Sequence, residues 1–151
     1  MELENKVNAD IKLAMIAKES KRLEALRAIK AAILLAKTSK EAAGGDLPEE
    51  AGLKLLQKLI RQRMESADIY RSNGRNDLAE QELFQAGIIE SYLPKQMSED
   101  EIHLGLQKII RETGASGVKD MGRVMGLASK AFAGKADNKV IAEIVKKILG
   151  I

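Results

Sequence analysis

Residues 93–102 read LPKQMSEDEI and decide how this chain is organised. Pro94 has no amide hydrogen and restricts the residue before it, so a helix that reaches it ends there. Ser98 followed three residues later by Glu101 is the pattern of a capping box, which opens a new helix. The sequence therefore predicts a boundary at this point, between an N-terminal domain of residues 1–95 and a C-terminal domain of residues 96–151.

Four amphipathic helices are predicted on the N-terminal side. Apolar residues recur there at steps of three and four, the spacing of one helix face. Met15 and Phe84 are expected in the core, and Asp77 is expected to cap the fourth helix. The predicted helices cover about residues 3–18, 21–40, 48–73 and 77–93, with breaks at Lys18–Lys21, Glu41–Leu47 and Asn73-Gly74.

Three more helices are predicted on the C-terminal side, at about 99–112, at 118–132 and from an N-cap at Asp137 to the end. The composition agrees with an all-α chain, because Ala and Leu supply 38 residues while Val and Thr supply seven. Ala and Leu favour helices, and β-branched residues favour strands. The predicted fold is a small N-terminal bundle of about four helices followed by a three-helix tail module.

The composition also excludes several kinds of chemistry. There is no Cys and His103 is the only histidine, so disulfides, thiolate catalysis and Cys-based zinc sites are ruled out. Neither GxGxxG nor GxxxxGK[ST] occurs. We therefore expect no catalytic residue, metal or cofactor, and His103 is interpreted as an ordinary surface or partly buried residue. Without an apolar leader or membrane span, a cytoplasmic monomer is expected.

The net charge of +3 conceals three blocks of alternating sign. Residues 12–40 hold eight basic and two acidic residues, residues 46–101 hold seven and twelve, and residues 114–151 hold seven and three. Charge runs of this size are commonly solvated helix faces. The alternative is nucleic acid, because Lys and Arg on one face replace counterions along a phosphate backbone.

The predicted sixth helix is unusual because small residues repeat along it. Gly122, Gly126, Ser129 and Ala133 form a smooth stripe, and each mid-helix Gly costs about 0.5–1 kcal/mol relative to Ala. Close backbone approach would offset that cost, either by the last helix or by an external ribose-phosphate backbone. With only four aromatic residues, recognition of RNA would use shape and backbone contacts. The cations beside the stripe are Lys119, Arg123, Lys130, Lys135 and Lys139.

Glu82 lies within the apolar stripe of the predicted fourth helix. A carboxylate in that position needs a partner, and the preceding antiparallel helix offers Arg61, Arg63 and Arg71. We interpret the pair Glu82–Arg63 as a structural ion pair.

Several motifs together resemble those of the GatB/YqeY family. In the N-terminal part they are Ile60–Ser66 (IRQRMES) with Tyr70, then Gly74–Ala79 (GRNDLA) with Glu82, and Tyr92-Leu93-Pro94 with Gln96. In the C-terminal part they are Asp120–Gly126 (DMGRVMG) and Gly134–Asp137 (GKAD). The resemblance covers nearly the whole chain in unchanged order. The chain departs from the family pattern at Gln85, where a second acid is usual.

The resemblance implies a relation to the tail of the B subunit of glutamine-dependent tRNA amidotransferase, the part that contacts tRNA. It therefore implies a non-catalytic tRNA-binding or translation-accessory protein. One alternative is an interaction module that docks on amidotransferase subunits or another partner without RNA. A weaker one is a carbon-nitrogen ligase with glutamine as amido-N-donor. The matching tail residues are Gly122, Arg123, Gly126, Lys135 and Asp137, the last interpreted as a helix cap.

Overall fold

The computed structural model describes residues 2–38 and 45–151. Within those ranges the chain forms seven α-helices and one short 3₁₀ turn, with no strand, which confirms the predicted all-α class. The chain divides into two compact units, Met1–Leu93 (unit 1) and Pro94–Ile151 (unit 2). Most of the break predicted at Glu41–Leu47, including Gly44, lies outside the described residues.

Unit 1 is the four-helix bundle. Its helices are α1 (Glu2–Ile16), α2 (Ser20–Lys37), α3 (Glu49–Ser72) and α4 (Asn76–Glu90). Helix α1 packs on α2, α3 packs on α4, and α2 contacts both α3 and α4. Apolar side chains at helical spacing meet between these helices, so the bundle encloses one core. The largest of the fully buried side chains are Val7, Leu26, Ile29, Ile33, Leu56 and Ile89.

The start of α4 differs from the prediction. Gly74 adopts φ +72° and the amide of Arg75 donates to the carbonyl of Tyr70 at 2.8 Å, which closes α3. Arg75 is therefore the N-cap, and Asp77 lies inside the first turn of α4. The Arg75 guanidinium donates two hydrogen bonds to the Asp77 carboxylate, and these lower the pKa of Asp77.

Two of the expected core residues are exposed. Phe84 is 45% exposed, because Ala86, two positions further and so about 160° around the helix, faces the core instead. Met15 is 54% exposed, because the adjacent Ala14 takes the buried position at the end of α1. Both predictions were wrong for the same reason: a smaller neighbour occupies the inner face.

Unit 2 contains α5 (Glu99–Thr113), the 3₁₀ turn Val118–Asp120, α6 (Met121–Ala131) and α7 (Asn138–Leu149). The three helices pack against one another around a separate core. The buried members of that core are Ile102, Leu106, Val124, Ala128, Phe132, Ala136, Ile141, Ile144 and Val145.

Both predicted caps of unit 2 are present. Ser98 Oγ accepts a hydrogen bond from the Glu101 amide at 3.1 Å, and Glu101 Oε1 accepts one from the Ser98 amide at 3.2 Å. The bond from the Ser98 amide lowers the pKa of Glu101. Asp137 Oδ1 accepts from the Lys139 amide at 3.0 Å, so Asp137 is the N-cap of α7.

The single helix predicted at 118–132 is interrupted at its start. Gly117 has φ +73°, and Val118–Asp120 forms a 3₁₀ turn before α6 begins at Met121. Asp120 stabilises this geometry, because its Oδ2 accepts a hydrogen bond from the Ser116 amide at 2.8 Å. Lys119 consequently lies before α6 and not within it. Among the described residues, no helix is both long and apolar enough to cross a membrane.

Candidate nucleic-acid interface

The seven residues predicted to contact RNA all lie on the surface of unit 2. Their positions are the 3₁₀ turn, α6, the loop after α6 and the start of α7. Each is exposed, so all of them are accessible to a partner. They are Lys119, Gly122, Arg123, Gly126, Lys130, Lys135 and Lys139.

The glycines of α6 face solvent. A Cβ added at Gly122 or Gly126 would have no neighbouring atom within 4 Å. Both positions lie two residues from the buried Val124, about 160° around the helix, on the side away from the core. Of the two alternatives for close backbone approach, the one by the last helix is therefore excluded at these two glycines. We call the surface formed by these two residues the glycine face.

Arg123 is partly engaged within unit 2. Its Nη2 donates a hydrogen bond to the Thr113 carbonyl at 3.2 Å and lies 3.5 Å from Asp120 Oδ1. Arg123 therefore ties α6 to the end of α5, while its side chain keeps 54% exposure. Lys130 follows seven residues later, two helical turns along the same edge of α6. One edge of the glycine face thus carries two positive charges.

Lys135 is positioned by the segment 94–97, which was predicted as the boundary between the domains but not as a support of the candidate site. Gln96 Nε2 donates to the carbonyls of Pro94 at 2.8 Å and Gly134 at 2.7 Å. The Met97 amide donates to the Lys135 carbonyl at 2.8 Å. Gln96 belongs to one of the family-like motifs, but its spacing of 38 residues from Gly134 carries no local signal for this contact.

Lys139 is oriented by the start of α7. The Asp137 cap bonds its amide, and Ser129 of α6 donates to Asn138 Oδ1 at 3.2 Å, which links the two helices. Ser129 is a member of the small-residue stripe, so part of that stripe does contact α7. The lysine side chain itself remains exposed.

The positive charges of this surface are largely uncompensated. Lys119, Lys130, Lys135 and Lys139 form no ion pair with any residue in the described ranges 2–38 and 45–151. An open helix face bordered by lysines that lack ion pairs within the described residues suits a polyanion, because each phosphate neutralised by a lysine releases a counterion.

The predicted structural pair lies elsewhere, in unit 1. Arg63 Nε is 3.9 Å from Glu82 Oε2 and donates a hydrogen bond to Gln85 Oε1 at 3.1 Å. The side chains of Arg63 and Glu82 are 20% and 25% exposed, and the three residues join α3 to α4. Gln85, which departs from the family pattern, therefore makes the shorter contact to Arg63.

His103 is exposed on α5. Within residues 2–38 and 45–151, no group of three or more His, Cys, Asp or Glu side chains is placed to hold a metal ion.

Fold and surface together define an all-helical protein of two units, the second of which presents an exposed basic and glycine-rich helix face. The chain belongs to the YqeY-like family, since the sequence profile described as "Yqey-like protein" matches residues 4–149. The family membership predicted from the motifs is thereby confirmed.

The chain is also similar to fungal proteins named "Altered inheritance of mitochondria protein 41, mitochondrial". That of Pyrenophora tritici-repentis is 30% identical over 149 residues, which cover 96% of this chain and 80% of the relative. That of Meyerozyma guilliermondii is 39% identical over 59% of this chain and 45% of the relative. That of Lachancea thermotolerans is 37% identical over 68% and 55%. The match thus spans about half the length of the last two relatives.

Proposed function

We propose that unit 2 binds structured RNA, in particular tRNA, and that the protein is a non-catalytic accessory of translation. The observation that carries this proposal is the open glycine face of α6 beside lysines that form no ion pair within the described part of the chain. Gly122 and Gly126 leave room for a backbone to approach α6 closely. The lysines at its border supply the charge that attracts phosphates. The contact surface comprises Lys119, Gly122, Arg123, Gly126, Lys130, Lys135 and Lys139.

The proposal includes recognition by shape and phosphate contacts. Phe132, the C-cap residue of α6, is aromatic, but its side chain is 8% exposed and belongs to the core. It therefore offers no surface on which a base could stack. Backbone recognition of a folded RNA is the mode that such a surface supports. We propose that the protein acts as a monomer in the cytoplasm. The printed names of the fungal relatives place those proteins in mitochondria, which is the alternative location.

A titration of the full chain with total tRNA tests the proposal. Fluorescence polarisation at about 50 mM and about 200 mM salt should show binding that weakens steeply with salt. The double variant Lys130→Gln/Lys135→Gln should weaken binding and reduce the slope of log K against log salt by about one per lysine. Arg123 is less suitable, because its loss also releases Thr113.

The matched control removes two exposed lysines of unit 1, Lys54→Gln/Lys58→Gln. It changes the net charge equally and should leave tRNA affinity nearly unchanged. Absence of binding at low salt, or an equal loss in the control, would contradict the proposal.

A second candidate function is docking on a protein, such as an amidotransferase subunit. Two apolar side chains near the glycine face favour it, since Val118 is 70% exposed and Leu127 is 43% exposed. Apolar groups do not assist binding to phosphates but do contribute to protein interfaces. Co-purification that survives nuclease and high salt, and that Leu127→Ser abolishes, would favour this candidate over RNA.

A further inference from the structure

The turn between α1 and α2 in unit 1 carries an exposed apolar group of side chains. Ile16 is 80% exposed, Leu13 is 64% exposed and Met15 is 54% exposed. All three belong to the last turn of α1, in which Ala14 is the buried residue. The solvent side of this turn is therefore predominantly apolar, although burial of such side chains is favourable.

The same turn is rich in positive charge. Residues 12–22 contain four cations and one carboxylate. That carboxylate, Glu19, lies 3.7 Å from Arg22. Lys12, Lys18 and Lys21 are exposed and form no ion pair with a residue of the described ranges. We call Leu13, Met15, Ile16, Lys12, Lys18 and Lys21 the tip surface.

Lys18 occupies a position where the backbone favours glycine. Its φ is +58°, and the Glu19 amide donates to the Ala14 carbonyl at 3.0 Å, which closes α1 in the manner of a Schellman motif. Glycine adopts this conformation without strain, whereas lysine does not. The cation is thus retained at the tip at the expense of backbone stability.

Helices α1 and α2 pack on each other as a helical hairpin, and its opposite end lacks this combination. Leu35 is 75% exposed in the last part of α2. The neighbouring Lys37, however, lies 3.0 Å from Glu4 and 3.7 Å from Asp46. Apolar exposure there is not accompanied by free positive charge on Lys37, so within this hairpin the two properties coincide at the tip surface.

We propose that the tip surface binds the interface of an anionic phospholipid bilayer. Apolar side chains beside lysines are the features that hold a helix end in the headgroup region. A specific protein interface requires about 800 Å² per partner, and three aliphatic side chains fall short of that area. A bilayer demands no complementary shape, so a small apolar group with cations is sufficient. This site lies in unit 1 and is independent of the RNA surface of unit 2.

Flotation of the full chain with vesicles tests the proposal. Vesicles of phosphatidylcholine with about 30% phosphatidylserine should carry the protein, and pure phosphatidylcholine vesicles should not. Leu13→Ser/Ile16→Ser should lower the partition at least about tenfold. Leu35→Ser, which alters an equally exposed side chain at the other end of the hairpin, should leave it unchanged.

Lys18→Gly separates binding from folding. The variant removes backbone strain and should raise the melting temperature, while it should lower the partition onto anionic vesicles about fivefold. A purely structural role of Lys18 would leave the partition unaltered, and that result would contradict the proposal.

A tryptophan reporter gives a second readout, because the chain contains no Trp. The fluorescence of Ile16→Trp should shift to the blue with anionic vesicles, and that of Leu35→Trp should not. Three results would overturn the proposal: no vesicle binding, a loss of tRNA affinity in Leu13→Ser/Ile16→Ser without vesicle binding, or a dimer that this variant dissociates. The second would assign the tip surface to RNA and the third to a second copy of the chain.

Discussion

The ring of Phe132 packs directly on the backbone of Gly105. A Cβ at residue 105 would stand 2.6 Å from Cζ of Phe132, a separation that real Cβ atoms do not show. Phe132 is 8% exposed and lies in the core of unit 2, so its ring has little room to move. This contact joins the middle of α5 to the end of α6.

Gly105→Ala should therefore destabilise the protein. Alanine normally stabilises a helix interior by about 0.5–1 kcal/mol, but overpacking against a buried ring costs about 1–3 kcal/mol. We expect a net decrease in the free energy of unfolding, measured by urea denaturation. Gly87→Ala is the matched control, because a Cβ there meets no atom within 4 Å. Equal stabilisation by both substitutions would show that the Phe132 ring moves aside at no cost, and would contradict the prediction.

Gly122→Ala and Gly126→Ala should stabilise the fold and weaken RNA binding. Both positions are exposed in α6 and open to solvent. Alanine at Gly126, in the helix interior, should add about 0.5–1 kcal/mol, and alanine at Gly122, in the first turn of α6, should add less. Under the proposed function the added methyl groups obstruct the approach of the RNA backbone. Thermal melts and tRNA titrations of the double variant measure the two effects, with Gly87→Ala as the control that gains stability alone. Unchanged tRNA affinity would remove the glycine face from the binding surface.

Ser98→Ala should destabilise the start of α5. The substitution removes the acceptor for the Glu101 amide, and the loss of such a cap costs about 0.5–2 kcal/mol. The lowered pKa of Glu101 adds a pH dependence: its contribution is present above the pKa of unfolded Glu and is lost as the pH falls through the folded value. Urea denaturation between about pH 3 and pH 7 measures both effects. Ser98→Ala keeps the Ser98 amide, so Glu101→Gln is the variant that should lose this part of the acid dependence. Unchanged acid dependence in Glu101→Gln, or unchanged stability of Ser98→Ala at about pH 7, would contradict the role of the capping box.

Tyr92 should make unit 1 sensitive to alkaline pH. Burial, and then the hydrogen bond that its hydroxyl donates to Asp10, raise the pKa of Tyr92 above its ordinary value. Lys6 Nζ lies 5.2 Å from the centre of the same ring. Because the folded pKa is raised, the stabilisation is present below the unfolded pKa of about 10 and is lost as the pH rises above it.

Tyrosinate absorbance measures this effect. The absorbance of the Tyr92 tyrosinate is the part of the wild-type signal that Tyr92→Phe lacks. In the wild type it should be absent at about pH 10 and should appear at higher pH, together with unfolding. Tyr70→Phe serves as the control that retains this component. A Tyr92 component already half formed at about pH 10 would contradict the prediction.

Local signals predicted much of this fold. The caps at Ser98 and Asp137 were identified correctly, because capping depends on residues within three positions of each other. The break at Asn73-Gly74 was likewise read from turn residues, and the break predicted at Lys18–Lys21 is present at Lys18. The predicted cap at Asp77 was wrong. The Arg75 amide donates to the Tyr70 carbonyl and closes the preceding turn, so α4 begins earlier, with Arg75 as its N-cap.

The candidate site was predicted less completely. The seven residues were named from charge and residue size, and all are exposed. Their surroundings were not predicted: the openness of Gly122, the link from Arg123 to Thr113, and the support of Lys135 by Gln96. The two contacts depend on backbone atoms that are distant along the chain, and the openness of Gly122 depends on how the helices of unit 2 pack. Spacing along the sequence contains no information on either.

The sequence by itself determined the helices, their order, the caps of unit 2 and the family, because each rests on residues near one another or on a motif pattern. The tertiary structure decided which side of each helix faces inward where two sides compete. It placed Ala86 inside and Phe84 outside, and it turned Gly122 and Gly126 to solvent. The physical reason is that a face is buried only when another helix covers it, and that choice depends on packing of the whole unit.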